Sequence, residues 1–288
     1  MLPVRVVVPV REVTPRDAAR PSTAEIIIAV AAFAVLCLVV LRTAPQLPEP
    51  DDYAYRASMV GITDGHLLTL SAAQVRGLAE QLLSPPSAGR AVSFRPGLLG
   101  GAVEQWVRLP DGRWISEKDP GYPFLAAPFQ LLGIIRVAPL FYGALGCLGL
   151  FFGARRWLGP FGGAVAAGLF CTSGAAMLFA WRDYMPTFAE AGLIAAGTGA
   201  VAWTLLAAEA SARRRTWIGL LGFPALEAAT FSRYTNVVVL GCAVLAVLAV
   251  RWRRPRAPPP RALGWWLGSA ILFAAGWPGS TTLAIADR

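Results

Sequence analysis

Residues 24–41 read AEIIIAVAAFAVLCLVVL. A bilayer core is crossed by a helix of roughly 20 apolar residues, and this run is nearly that long. Ahead of it, residues 1–22 are polar and contain Arg5, Arg11, Arg16 and Arg20. A cleavable signal peptide would end in a small-residue pattern, and Thr43-Ala44-Pro45 does not supply it. The leader and the apolar core are also long for a signal peptide. The reading is an uncleaved anchor helix over 23–42, preceded by a cytoplasmic leader.

Composition agrees. The 288 residues are 56% hydrophobic and only 15% charged, where a soluble domain averages about a quarter charged. Net charge is +9 at a pI near 10.1. A nucleic-acid surface would gather its arginines with aromatics on a soluble face. Here many arginines fall in short connectors between apolar runs, the pattern of cytoplasmic loops, so no nucleic-acid partner is expected. Cys37, Cys147, Cys171 and Cys242 all lie inside apolar runs, where free cysteine behaves as a small hydrophobe. No disulfide framework is expected. His66 is the one histidine, which excludes a multi-histidine metal site. Arginine-heavy, lysine-poor usage with abundant alanine and glycine suggests a GC-rich bacterial source.

Beyond the anchor, residues 43–121 are polar and mixed. Ser71-Ala72-Ala73-Gln74 has the form of a capping box ahead of Val75, Leu78, Ala79 and Leu82, which predicts a short amphipathic helix. Residues 106–115 read WVRLPDGRWI, a hairpin with Asp111-Gly112 at the turn. Six further apolar runs follow, near 124–153, 161–180, 187–208, 217–232, 235–250 and 263–278. A surface helix is expected at the start of the first.

Arg155-Arg156, Arg213-Arg214-Arg215 and the cluster of Arg251, Arg253, Arg254, Arg256 and Arg261 fall on one side. The expected fold is therefore an all-α polytopic membrane protein of the plasma membrane with seven spans. Its N-terminus is inside and its 281–288 tail outside. A small α+β loop over 43–121 lies outside, between the anchor and a six-helix domain over 122–280. No internal repeat is visible.

Four features could carry chemistry. Asp51-Asp52, followed by Tyr53, opens the outer loop. It reads as a solvated turn, as a cap on a helix starting near Tyr53, or as a pair able to accept a proton or bind Mg or Mn. Residues 117–124, EKDPGYPF, read as a loop leading into a helix or as a rigid rim beside those acids, with Tyr122 in it. Arg182-Asp183-Tyr184 ends one span. There the two charges either pair with each other or offer an arginine to a lipid phosphate. Arg233-Tyr234 breaks two runs on the same side. Glu190 and Glu227 lie inside predicted spans, where an ionisable group is costly, and are either functional or paired with Arg182 or Arg233. A site for a lipid-linked phosphate needs both signs, a cation for the phosphate and a carboxylate as base.

With the acidic Asp51-Asp52-Tyr53 loop opening and the run DPGYPFLAAPF over 119–129, the chain resembles the GT-C membrane glycosyltransferases. That superfamily includes the protein O-mannosyltransferases and the lipid A aminoarabinose transferases. The resemblance implies a polyprenyl-phosphate sugar donor and an acceptor hydroxyl on a lipid, glycan or protein. Transfer would be inverting at the outer face. It also implies Asp51 and Asp52 as catalytic or metal-linked acids, with Arg182 and Arg233 compatible with the donor phosphate. Tyr53, Tyr122, Asp183 and Tyr234 would support the site. GT-C enzymes carry more spans, so the expectation is a fragment, a truncated reading frame or a reduced relative. A transporter would want broken helices and a repeat, and a non-catalytic scaffold would present its loop to a partner. An acid across a cavity from Arg182 or Arg233 favours the transferase, and acids in open solvent favour the scaffold. Asp51→Asn and Asp52→Asn are expected to leave membrane insertion unchanged and to abolish transfer.

Overall fold

A computed structural model describes residues 20–43, 50–66, 69–75, 77, 106–116, 118–207 and 210–253. The predicted run 263–278, the 281–288 tail and nearly all of the leader lie outside these residues.

Helix α1 spans Thr23–Arg42. Its start is set locally. The Glu25 amide donates to Ser22 Oγ, and the Ser22 amide donates back to Glu25 Oε1, both at 3.3 Å. This reciprocal box satisfies two amides that the first turn leaves without helical partners. At the other end the Thr43 hydroxyl donates to the Val39 carbonyl at 2.8 Å. Helix α2 follows at Pro50–Thr63, so it begins three residues before the Tyr53 start expected from the sequence. Asp51 and Asp52 thus lie in its first turn, where carboxylates suit the positive end of the helix dipole.

The sheet is small. Strands β1 (Thr69–Leu70), β2 (Trp106–Arg108) and β3 (Trp114–Ser116) pair antiparallel in the order β1-β3-β2. The predicted hairpin is β2–β3, in register Val107↔Ile115. Its turn holds Gly112 at φ 84°, a conformation that a Cβ would strain. Asp111 Oδ1 accepts from the Arg113 amide at 3.0 Å. Strand β1 was not anticipated, because two residues carry no periodicity. Ser71 and Gln74 form the predicted capping box, with amide-to-side-chain bonds of 2.9 and 3.2 Å. The expected helix beyond it falls largely outside the described residues. Leu70, Val75 and Trp106 bury Ala54 and Ala57, which seats the sheet on α2.

The remaining helices are α3 (Gly121–Leu131), α4 (Val137–Leu158), α5 (Gly162–Thr172), α6 (Gly174–Phe179), α7 (Thr187–Leu206), α8 (Ala212–Ser232) and α9 (Val237–Arg253). Among the described residues, α1, α4 and α7 are long and apolar enough to cross a membrane. The run near 124–153 divides into α3 and α4, as a surface helix before a span requires. The run 161–180 was read as one element and folds as two. Ser173 takes an extended conformation, and its Oγ caps α6 by accepting from the Ala176 amide at 3.1 Å. Hydropathy does not register one serine that ends a helix and caps the next.

The core of this bundle is α4 against α7. Gly146 approaches Gly192, and a Cβ on Gly146 would stand 2.7 Å from the Gly192 Cα. Small residues on both helices let the backbones touch, the means by which apolar helices associate without a hydrophobic gradient. Gly121 acts likewise at the start of α3, because a Cβ there would collide with the Phe231–Ser232 backbone of α8. Successive long helices alternate in direction. One end gathers Asp52, Asp183 and Arg233, and the other gathers Glu25, Arg155, Arg156 and Arg214. The 22 residues of α4 separate the ends by about 33 Å at 1.5 Å per residue.

Candidate functional site

At the end shared by the close of α1 and the start of α2, six segments contribute charged groups. Asp52 is fully buried. Its carboxylate receives a fork from Arg182 in the α6–α7 corner, with Nη2 to Oδ2 at 2.6 Å and Nε to Oδ1 at 3.4 Å. Arg182 is itself buried, and its guanidinium lies 5.5 Å from the Phe179 ring centroid. A buried ion pair repays desolvation only with such geometry. The acids are therefore neither across an open cavity from Arg182 nor in open solvent. Asp52 contacts Arg182 directly.

Asp51 faces another way. Its Oδ1 lies 3.1 Å from Lys118 Nζ, and both side chains remain partly exposed, at 30% and 24%. Consecutive residues on a helix point about 100° apart, which is why the two aspartates meet different partners.

Arg182 and Asp183 do not pair with each other. Asp183 lies 3.9 Å from Arg136 Nε, and its Oδ1 finds no hydrogen-bond partner among the described residues. Burial raises its carboxyl to about 6, with Arg136 pulling down and the Asp52 charge pushing up. Arg136 reaches across to donate to the Val40 and Thr43 carbonyls at the close of α1. The Asp183 backbone carbonyl accepts the Tyr122 hydroxyl at 2.7 Å, and Tyr122 is wholly buried. Tyr184 donates to Gln130 Oε1 at 3.4 Å and lies beneath Arg56, 5.9 Å from its ring centroid.

The third group surrounds Glu190, the first-turn acid of α7. Its Oε2 lies 3.5 Å from Arg233 Nε, while its Oε1 has no hydrogen-bond partner among the described residues. Of the two readings for this glutamate, pairing with Arg233 is the one present. Arg233 keeps 38% of its side chain exposed. Burial raises the Asp119 carboxyl, against the Tyr234 amide, Arg233 and Lys118, which lower it. Tyr55 of α2 is buried beside them, and burial followed by the Glu190 charge pushes its hydroxyl far up. Tyr53 is also buried, whereas the Tyr234 side chain is 60% exposed. Glu227 is half-buried in α8.

The residues do not fit the divalent metal that the resemblance allows. Both oxygens of Asp52 are turned to Arg182, Asp51 turns to Lys118, and no group of three or more metal-ligating side chains converges among the described residues.

Every residue singled out from the sequence at this end, Asp51, Asp52, Tyr53, Tyr122, Arg182, Asp183, Arg233 and Tyr234, falls within the same end of the bundle. Sequence reasoning missed Arg136 and Tyr55. Arg136 lies inside the run read as 124–153, and nothing local distinguishes it from a cytoplasmic arginine. Comparison with protein families, with curated proteins and with solved structures found no match to this chain.

Proposed function

We propose that the chain is a membrane glycosyltransferase of GT-C type, moving a sugar from a polyprenyl-phosphate donor to an acceptor hydroxyl at the outer membrane face. One observation carries the reading. Asp51 and Arg233, an acid and a cation that both stay partly exposed, belong to one polar end with Lys118 and Glu190. A transfer of this kind needs a base and a phosphate-holding cation together. The alternating directions of α1, α4, α5–α6, α7, α8 and α9, with α5–α6 counted as one span interrupted at Ser173, support six of the seven spans with the N-terminus inside; the seventh, 263–278, lies outside the described residues. The sheet-bearing segment then caps the site.

Asp51 accepts the proton of the acceptor hydroxyl. The acceptor oxygen forms its bond to the anomeric carbon as the bond from that carbon to the phosphate oxygen breaks. The electron pair leaves with the polyprenyl phosphate, whose charge Arg233 and Lys118 hold. The configuration inverts in one displacement. Asp52 and Arg182 are positioning residues, because their mutual fork leaves them holding α2 against the α6–α7 corner.

The test is transfer by the purified full chain in nanodiscs from a radiolabelled polyprenyl-phosphate sugar. Asp51→Asn is expected to lower turnover at least about 100-fold, the usual scale of a lost general base, with its unfolding midpoint unchanged. Arg233→Gln raises the donor KM. Undiminished transfer by Asp51→Asn would overturn the assignment. The second reading, a transporter, is favoured by Glu190, a buried acid in an apolar helix whose Oε1 has no hydrogen-bond partner within bonding distance among the described residues. Proton-coupled uptake into proteoliposomes, lost in Glu190→Gln, would select it.

A further inference from the structure

The opposite end of the bundle holds a second arrangement that the transferase reading does not use. Arg156 at the close of α4 and Arg214 at the start of α8 both direct their guanidinium carbons at the Trp203 ring of α7, 5.7 and 5.3 Å from its centroid. Trp203 is buried. Arg213 and Arg215 flank Arg214 in the first turn of α8, whose cap is Ser211. That turn already carries the positive end of a 21-residue helix dipole, so three arginines there repel both one another and the helix end. Arg215 Nε is buried without a hydrogen-bond partner, and none of Arg213, Arg214 and Arg215 forms an ion pair among the described residues. Loop charge that merely sets topology needs no such gathering on one buried indole.

An anion relieves each of these costs at once. A phosphate at a helix start takes up the orphan amides, and arginine forks match its oxygens. The surface around the cluster names the source. Arg214, Trp217 and Leu221 lie at i, i+3 and i+7, on one stripe of α8. Arg214 is exposed, and Trp217 and Leu221 are exposed at 60% and 71%. Charge, then an aromatic, then an aliphatic chain is the order of headgroup, interface and acyl region along a membrane normal. Trp157 and Leu158, at the end of α4, are exposed beside the cluster at 77% and 55%. A free anion would have no use for this apolar flank.

We propose that Arg156, Arg214, Arg215 and Trp203 form a binding site for the phosphate of an anionic phospholipid in the leaflet facing this end. Its acyl chains lie along Trp217 and Leu221. The site is independent of sugar transfer.

The test uses the full chain in nanodiscs of phosphatidylcholine alone and with phosphatidylglycerol. Native mass spectrometry of the released protein reads the retained lipid, and thermal unfolding reads the shift. Phosphatidylglycerol is expected to be retained and to raise the midpoint over phosphatidylcholine. Each charge-removing substitution, Arg214→Gln or Arg215→Gln, should weaken retention about five-fold, the scale of one interfacial basic residue. Leu221→Asn, which leaves every charge in place, should also weaken it. Equal retention of the two lipids, or retention unchanged in Arg214→Gln, overturns the proposal. So does inorganic phosphate in detergent reproducing the whole midpoint shift, which would assign the cluster to a soluble anion. If Arg214→Gln does not fold, Leu221→Asn decides.

Discussion

The two ends of the helical bundle treat charge in opposite ways. At the Asp52 end, each buried acid meets a basic group from another segment: Asp52 with Arg182, Asp183 with Arg136, Glu190 with Arg233. At the Trp203 end Glu25 pairs with Arg155 at 2.7 Å, and around this pair several arginines gather. A balanced end is built to hold its own geometry. An end left positive is completed from outside, by water, by headgroups or by a bound anion. The difference teaches that the charge balance at one end says little about the chemistry of the other.

The sharpest way to break the balanced end is Asp52→Asn. It strands a buried guanidinium and should cost about 3–5 kcal/mol, read by chemical unfolding in detergent. Asp52→Leu with Arg182→Met should recover most of that loss. A wild-type midpoint for Asp52→Asn alone would mean that the pair does not hold α2 in place. The sequence alone led to the expectation that Asp52→Asn leaves membrane insertion unchanged; the buried fork with Arg182 adds a cost in stability.

The matching change at the other end is Glu25→Gln. Arg155 also donates to the Arg20 carbonyl at 3.4 Å and sits at a helix end, where a long side chain can turn toward water. The cost should be smaller, about 2 kcal/mol, and amide exchange should rise in the first turns of α1 while α2 stays protected. Exchange rising equally in both helices would show that the ends are coupled.

Asp183 supplies a pH test confined to the balanced end. Its carboxyl titrates near 6 in the folded chain, above the ordinary value of about 3.9. Between those values the folded state binds the proton more tightly than the unfolded one. This group's contribution is therefore fully present below about pH 4, falls as pH rises through 6, and is constant above. Up to about 3 kcal/mol of stability depends on it. Asp183→Asn should flatten the unfolding midpoint over that window, and an unaltered pH profile would disprove the shift. The smallest effect belongs to the cap. Gly112→Ala strains a residue at φ 84° and should cost about 1 kcal/mol in unfolding, with no effect on lipid retention at the far end.

Some of this was legible in the chain. Residues 24–41 announced a membrane helix, Ser71 with Gln74 announced a cap, and Asp111-Gly112 announced a turn. Each signal is complete within a few residues of its own position. The same kind of reading failed where the deciding group was far away or too small to weigh. Ser173 divides a run whose hydropathy is continuous. Glu25 was absorbed into an apolar run, although a glutamate there is costly enough to require the partner it has in Arg155. Arg182 and Asp183 looked like each other's partners because they are neighbours, and they are not.

The sequence by itself determined the helical, membrane-compatible character of the chain, the basic face and the residue types available for chemistry. Hydropathy and charge act along the chain and can be summed there. Only the tertiary structure decided which charges meet. Asp52 and Arg182 are 130 positions apart, as are Glu25 and Arg155. Partners at that separation are chosen by the backbone contact of α4 with α7 and the helix directions it imposes. In a buried setting a charge must take whichever opposite charge that geometry delivers.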